Sequence, residues 1–321
     1  MRQELFTKID SAIRTLNAFN KDDEPYYLCY SGGKDSDCIR ILADLAGVNY
    51  ECHNNHTTVD APETVYYIRE VMQKYGERHE ERLEDGTKCI VYGERGFIHL
   101  PKKTMWNLIE EKGVPTRFMR FCCSELKEHG GKGRRKITGV RWAESANRKQ
   151  NYGRVTIIGS STSTVSIADE IGANYEVNKK GGIILNTDNA ESRRLVEMCY
   201  RTRSNLINPI IDWTDEDVWE FLRSQGCESN PLYKKGFRRI GCICCPLGGA
   251  KNMKKELSIW PTYRNAYVRA FDRMLEKTPK EKRERREKEL GWIDGEHVMR
   301  WWVGDDQFQI TIDDYLNDAM P

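Results

Sequence analysis

The sequence predicts an α/β fold built on a parallel sheet. Two observations carry the prediction: strand, glycine turn, helix and second strand follow one another over about residues 26–52, and a further amphipathic helix begins near residue 60. Size agrees, since 321 residues, 39% hydrophobic and 31% charged, suffice for one large domain or two of ordinary size.

The opening stretch, MRQELFTKIDSAIRTLNAFN, sets Leu5, Ile9, Ile13 and Leu16 among charges, as an amphipathic helix does and an export signal does not. YYLCY at 26–30 is a run of β-formers. Ser31-Gly-Gly-Lys34 turns the chain into a helix carrying Ile39, Leu42 and Leu45, which Gly47 can stop before VNYEC resumes a strand. Asp60-Ala-Pro-Glu63 supplies an N-cap, an early proline and a carboxylate at the third helical position, ahead of Val65, Ile68, Met72 and Tyr75 on one face. Basic KGRRK at 132–136 leads into a strand-like ITGV. Residues 150–190, with the Ser/Thr run SSTST and several glycines, read as an inserted loop or hairpin. Thr214-Asp-Glu-Asp217 is a capping box, with Trp213 and Val218 spaced as a hydrophobic staple and Gly226 as the stop. Behind a cap at Thr278, residues 280–289 are ten consecutive charges of mixed sign, a solvated helix face with Glu281/Arg285 and Glu284/Lys288 spaced as i,i+4 pairs.

Lys and Arg number 51 against 49 Asp and Glu, so the overall balance demands no polyanionic partner. Mean hydropathy is −0.71, and no apolar run approaches the ~18 residues of a bilayer span, so no membrane contact is expected. Without an export signal the chain is expected in the cytoplasm. There its eleven cysteines favour thiols and metal ligation over disulfides.

Chemistry concentrates in two places. Ser31-Gly-Gly-Lys-Asp-Ser36 lies between strand and helix, where backbone N–H groups and the positive helix end can wrap a phosphate that only glycine lets approach so closely. Lys34 can neutralise that phosphate, Ser31 and Ser36 can donate to it, and Asp35 can hold a hydrated Mg²⁺. The spacing is neither GxxxxGK[ST] nor GxGxxG. The second place is Cys122-Cys123 with Cys242-x-x-Cys245, four thiols able to bind tetrahedral zinc or an iron–sulfur cluster, Cys244 being an alternative to its neighbours. Cys29, Cys38, Cys52, Cys89, Cys199 and Cys227 stand singly and read as small core residues. Cys52-His53 with His56 has metal-like spacing but reads as strand-end packing or a substrate contact.

SGGKDS resembles the pyrophosphate-binding loop of the adenine nucleotide α-hydrolase (PP-loop) superfamily. DAPET at 60–64, FCCSELK at 121–127, GVRWAESANR at 139–148, NPIIDWTDEDVW at 208–219 and NPLYKKGFRRIGCICC at 230–245 narrow the resemblance to the phosphoadenosine phosphosulfate (PAPS) reductase family, in the family's order. It implies a doubly wound, Rossmann-like sheet over residues 1–246 and leaves 247–321 as a helical C-terminal extension. It also implies that Arg141 and Arg148 face the nucleotide's anionic end with Glu144 and Ser145 nearby, and that Cys122, Cys123, Cys242 and Cys245 hold the [4Fe–4S] cluster of the family's iron–sulfur members. Family reductases attack sulfate sulfur with a cysteine in a C-terminal Glu-Cys-Gly-Leu-His segment. Here no cysteine follows Cys245, and GWIDGEHVMRWWVGDDQFQI offers His297 and aromatics instead.

Three functions follow as expectations. ATP bound with Mg²⁺ is cleaved at the α-phosphate with pyrophosphate release, activating an acceptor for sulfur transfer, with Lys34 and Arg141 stabilising phosphate charge. Alternatively an adenylyl sulfate is reduced with another thiol, internal or a partner's, or the chain is a nucleotide-binding regulatory protein. A sulfur or electron donor protein is an expected partner. KGRRK could touch a nucleic-acid acceptor such as tRNA or DNA, a solvated loop being the plainer reading.

Overall fold

A computed structural model describes residues 1–21, 23–128, 130–158, 162–199 and 204–304. Its contacts divide the chain into two compact units, the first comprising Met1–Asn55, Pro62–His99 and Gly130–Ile240, the second His56–Ala61, Leu100–His129 and Gly241–Pro321. Both units are discontinuous in sequence, the second taking in two segments that precede Gly241.

Unit 1 is a mixed α/β sheet. Its strands are β1 (Tyr26–Cys29), β2 (Tyr50–Asn55), β3 (Arg78–Arg82), β4 (Lys88–Tyr92), β5 (Gly96–His99), β6 (Arg135–Ile137), β7 (Val155–Ile158), β8 (Glu176–Val177), β9 (Ile183–Leu185) and β10 (Ser204–Ile207), in the order β3-β4-β5-β2-β1-β6-β10-β7-β9-β8. The centre, β5-β2-β1-β6-β10, is parallel throughout. Both wings are antiparallel. Short connections dictate the β3-β4-β5 wing, because a parallel neighbour needs a crossover of about a dozen residues.

Three helices follow the sequence pattern closely. Gln3–Ala18 buries Leu5, Ile9 and Leu16. Lys34–Ala46 is stopped by Gly47 at φ 65, though it buries Ile39, Leu42 and Ala43 and leaves Leu45 exposed. Asp215–Ser224 starts at the capping box, where Thr214 accepts from the Asp217 N–H, and Trp213 and Val218 are fully buried. The helix Pro62–Gln73 is rotated from expectation, burying Thr64, Tyr67, Ile68, Val71 and Met72, with Val65 half-buried.

The stretch 150–190, expected as an inserted loop or hairpin, contributes three strands to the sheet. Val155, Ile157 and Ile183–Leu185 are buried, and β7, β9 and β8 extend the sheet beyond β10. β-branched residues thus outweigh the glycines around them. The Ser/Thr run lies partly outside the described residues.

Unit 2 is helical. Tyr267, Phe271 and Trp302 pack ring on ring with Trp106, and Trp302 Nε1 donates to the Pro115 carbonyl at 2.6 Å. The charged run forms the helix Lys280–Leu290, with Lys280–Glu284 and Arg285–Glu289 among its ion pairs. Asp60, expected as an N-cap, accepts instead from the Thr57 N–H at 2.8 Å, and its carbonyl accepts from the Tyr263 hydroxyl. The segment from residue 305 onward, including Gln307 to Ile310 of the aromatic C-terminal stretch, lies outside the described residues. Among the described helices none is long and apolar enough to cross a membrane.

Candidate functional site

Three neighbouring parallel strands deliver the site residues of unit 1. Just past the carboxyl end of β1 comes the loop 31–36; past β6 comes Gly139 to Arg148; past β10 comes Asn208 to Asp217. Such strand ends are where open α/β sheets bind ligands. Hydrogen bonds run between the second and third segments, from Thr138 N–H to the Ile207 carbonyl at 2.9 Å and from Trp142 N–H to the Ile211 carbonyl at 2.8 Å.

The loop requires its first glycine. Gly32 holds φ +71, and a Cβ there would meet Ile68 Cγ1 at 2.7 Å. Gly33 is the N-cap of Lys34–Ala46, and its N–H and carbonyl both bond the Ser36 hydroxyl, at 3.1 and 2.7 Å. Ser31 Oγ lies 3.4 Å from Ser36 Oγ. Two residues of the 230–245 segment brace this turn. Asn230, fully buried, donates its amide to the Gly32 carbonyl and to Thr64 Oγ1, both at 3.0 Å. The Tyr233 hydroxyl accepts the Lys34 N–H at 2.9 Å. Gly139 is required as well, since a Cβ there would sit 3.1 Å from Asp35 backbone atoms.

Lys34, Asp35 and Arg141 form one ion-pair network with a fourth member, Asp215. Arg141, 1% exposed, donates Nε to Asp35 at 2.7 Å, Nη2 to Asp215 at 2.6 Å and Nη1 to the Trp213 carbonyl at 3.1 Å. Lys34, also buried, sets Nζ 3.1 Å from Asp35 and 3.1 Å from Asp215. Both oxygens of Asp35, the carboxylate read as a Mg²⁺ holder, therefore face protein cations. Burial raises the Asp215 carboxyl, but hydrogen bonds from Arg141 and Lys34, with their charges, outweigh it and leave the pKa below the ordinary value. In the sequence Asp215 lies in the capping box and within the segment 208–219 that carries the family resemblance, but neither assigned it a place in the site.

Glu144, Ser145 and Arg148 form a local set nearby in sequence. Arg148 pairs with Glu144, Glu144 also accepts the Arg141 N–H at 3.3 Å, and Ser145 caps Ala146–Asn151 by accepting the Arg148 N–H at 3.2 Å.

In unit 2 the four expected thiols share one electrostatic neighbourhood. Cys122 and Cys123 open the helix Phe121–Leu126, and Cys242 pairs across an isolated bridge with Asp60. A hydrogen bond to Cys123, then burial, then the charges of Cys123, Cys242 and Cys245 push the Cys122 thiol far up. Cys123 falls to about 5, held by the Cys122 hydrogen bond against burial, with help from Arg120 and Lys127. The charge of Cys242 is the leading cause that raises Lys127. Four thiols with two counter-cations have the donor chemistry and charge of a cluster site. Yet among the described residues no three His, Cys, Asp or Glu side chains are set to hold a metal ion. Cys244 stands apart: it is 1% exposed at φ 61, with its N–H donating to Glu256 at 2.6 Å.

Two weaker motifs resolve into structure. Cys52 and His53 point to opposite sheet faces, as adjacent strand residues must, and His53 stacks on Tyr27 at 3.7 Å while bonding Glu51 and His99. His56 accepts the Thr58 N–H. In KGRRK, Arg134 pairs with Glu51, Arg135 is buried against the Phe19 carbonyl and Glu24, and Lys136 bonds the Gly130 carbonyl. These three cations are engaged within the fold, while Lys132 is exposed.

The model of the phosphoadenosine phosphosulfate reductase domain matches residues 25–247. An uncharacterized protein of Methanocaldococcus jannaschii is 26% identical over 249 residues, covering 76% of this chain and 47% of its own. A second from the same organism is 24% identical, covering 78% and 42%. The chain thus spans about half or less of the length of these curated relatives. Over 39 residues it is 44% identical to adenosine 5'-phosphosulfate reductase of Allochromatium vinosum, 12% of this chain and 15% of that protein. The crystal structure of PAPS reductase from Candida auris in a phosphate complex superposes with TM-score 0.42 at 13% identity, over 75% of this chain and 96% of that one.

Proposed function

Because the chain belongs to the phosphoadenosine phosphosulfate reductase domain family, we propose that unit 1 binds an adenine nucleotide at residues 31–36 and cleaves ATP at its α-phosphate, releasing pyrophosphate and activating an acceptor for sulfur transfer. The observation that supports this most is the convergence of a strained glycine turn, Lys34 and Arg141 at the ends of β1 and β6.

The chain's own groups divide the work. Gly32 and Gly33 let a phosphate reach the main-chain amides at the start of Lys34–Ala46, and the positive helix end favours it there. An acceptor group attacks the α-phosphorus, the bond to the β-phosphate oxygen breaks, and the electron pair leaves on pyrophosphate. Lys34 faces the charge that grows on that leaving group, while Asp35 holds Lys34 and Arg141 in place. Mg²⁺ bound with the nucleotide supplies further counter-charge.

Cys122, Cys123, Cys242 and Cys245 would hold a [4Fe–4S] cluster, with Arg120 and Lys127 balancing its thiolates. Bound there, the cluster supplies electron-transfer or sulfur chemistry.

The short, high-identity match to an adenosine 5'-phosphosulfate reductase favours one second reading, an adenylyl sulfate as substrate with a thiol from elsewhere as nucleophile. One experiment separates them. Purified, anaerobically iron-loaded protein is given ATP or adenosine 5'-phosphosulfate; pyrophosphate from ATP is expected, and sulfite from the sulfonucleotide with ATP untouched would replace the first reading by the second.

A further inference from the structure

We propose that Asp215 is a competing carboxylate that holds Lys34 and Arg141 and must be displaced by an anionic ligand tail, so that it sets how much negative charge the site demands. The inference deepens the nucleotide-binding reading and rests on it.

The geometry separates the two carboxylates of the network. Asp35 belongs to the glycine loop's own helix, has a side chain 24% exposed, and grips Arg141 through Nε and Lys34 through Nζ. Asp215 reaches in from a different strand end, and its side chain is 73% exposed although both its partners are buried. One oxygen, Oδ1, takes both cations, at 2.6 Å from Arg141 Nη2 and 3.1 Å from Lys34 Nζ.

Release is inexpensive for such a group. Asp215 is the first residue of Asp215–Ser224, so a carboxylate swung into solvent keeps the favourable field of a helix N-terminus. Rotation strands no buried oxygen. The cations lose one of two partners: Lys34, Arg141, Asp35 and Asp215 sum to no net charge, and without Asp215 the remaining three carry one positive charge facing the loop. A phosphate tail repays the displacement because it offers several charged oxygens to the same Nη2 and Nζ. An uncharged nucleoside cannot.

The other carboxylates on the same helix are engaged elsewhere. Asp217 bonds Arg2 and Lys8, Glu220 bonds Arg2, and Glu216 lies 3.4 Å from Arg2. Glu216→Gln therefore removes the same unit of charge from the same helical turn without touching Lys34 or Arg141. It is the control for general electrostatics.

The test is calorimetric titration of the full chain and of its Asp215→Asn and Glu216→Gln variants with inorganic pyrophosphate, ATP and adenosine. EDTA is present so that loss of a cation ligand does not enter, and circular dichroism verifies the fold. Expected is pyrophosphate and ATP binding about two- to fivefold tighter in Asp215→Asn, the range of a partly exposed ion pair, with adenosine unchanged and Glu216→Gln like the parent. Unchanged or weaker pyrophosphate binding in Asp215→Asn overturns the proposal while leaving nucleotide binding standing, and an equal gain in Glu216→Gln overturns it too. Failure of parent and variant alike to bind any of the three removes the nucleotide reading and this inference with it.

Discussion

Asp37 offers a quantitative test of how the loop helix is built into unit 1. Its side chain is fully buried one turn inside Lys34–Ala46, where its carboxylate accepts from the Tyr30 hydroxyl at 2.7 Å and the Tyr67 hydroxyl at 3.0 Å. Burial raises its pKa to about 6 from 3.8, against both hydrogen bonds and the charge of Arg40, with Asp35 adding to the rise. A carboxyl whose pKa is higher in the folded chain binds its proton more tightly there. Its stabilising contribution is therefore complete below the unfolded value, declines as pH rises toward about 6, and is lost beyond it. About two pKa units at roughly 1.4 kcal/mol each give about 3 kcal/mol in full, of which about 2–3 kcal/mol falls between about pH 4 and about pH 7.5. Asn cannot ionise, so the stability of Asp37→Asn minus that of the parent should climb by that amount over the same interval. Urea unfolding of both proteins, followed by tryptophan fluorescence at several pH values, measures the difference and cancels every other titrating group. A difference that stays constant within about 1 kcal/mol refutes the argument that burial dominates at Asp37.

Gly32→Ala should destabilise by about 2–4 kcal/mol, combining a left-handed backbone at alanine with displacement of the packed Ile68, and should weaken ATP binding; denaturant midpoints and calorimetry read both. Asn230→Ala leaves the Gly32 carbonyl, Thr64 and the Leu232 N–H without their partner, so a loss of about 2–3 kcal/mol is expected, visible as a lower denaturant midpoint. After anaerobic reconstitution, Cys122→Ser/Cys245→Ser should lose its iron and its visible absorption, whereas Cys244→Ser, altered at a thiol packed in the core, should keep both. Full iron content in the double variant would sink the ligand assignment.

What was legible in the sequence is what local physics decides. The β1 run, Gly47 at φ 65 and the Thr214 capping box each follow from a residue's own conformational preference or a hydrogen bond within four residues, and each stands where expected. What escaped depends on long-range packing. The strands of 155–185 are two to four residues long, too short for alternation to declare itself against neighbouring glycines, and only pairing with β10 makes them sheet. The KGRRK cations look like a surface until Glu24 and Glu51, more than eighty residues away in sequence, are brought against Arg134 and Arg135. In the site, the residue types of the glycine loop announced a phosphate-sized cradle, but Asn230 and Tyr233 support it across about two hundred residues that no spacing rule connects. The cysteines gathered in one unit, while Cys244 was separated from its neighbours by a backbone turn with positive φ.

Arg141 shows why one residue can be structural and functional in the same fold. A guanidinium keeps its proton even in a buried site, so covering it obliges the protein to supply acceptors, and the chain supplies three: Asp35, Asp215 and the Trp213 carbonyl. Those acceptors lie past different strand ends, so the buried cation ties the carboxyl ends of β1, β6 and β10 together. Removing it would leave Asp35 and Asp215 facing each other across Lys34 alone, an excess of negative charge where a phosphate is to bind. Lys in its place would restore the charge but lacks the planar fork that serves three acceptors at once. Arg141→Lys should therefore retain much of the stability that Arg141→Met loses while failing to recover ATP affinity, a split that a purely structural arginine would not show.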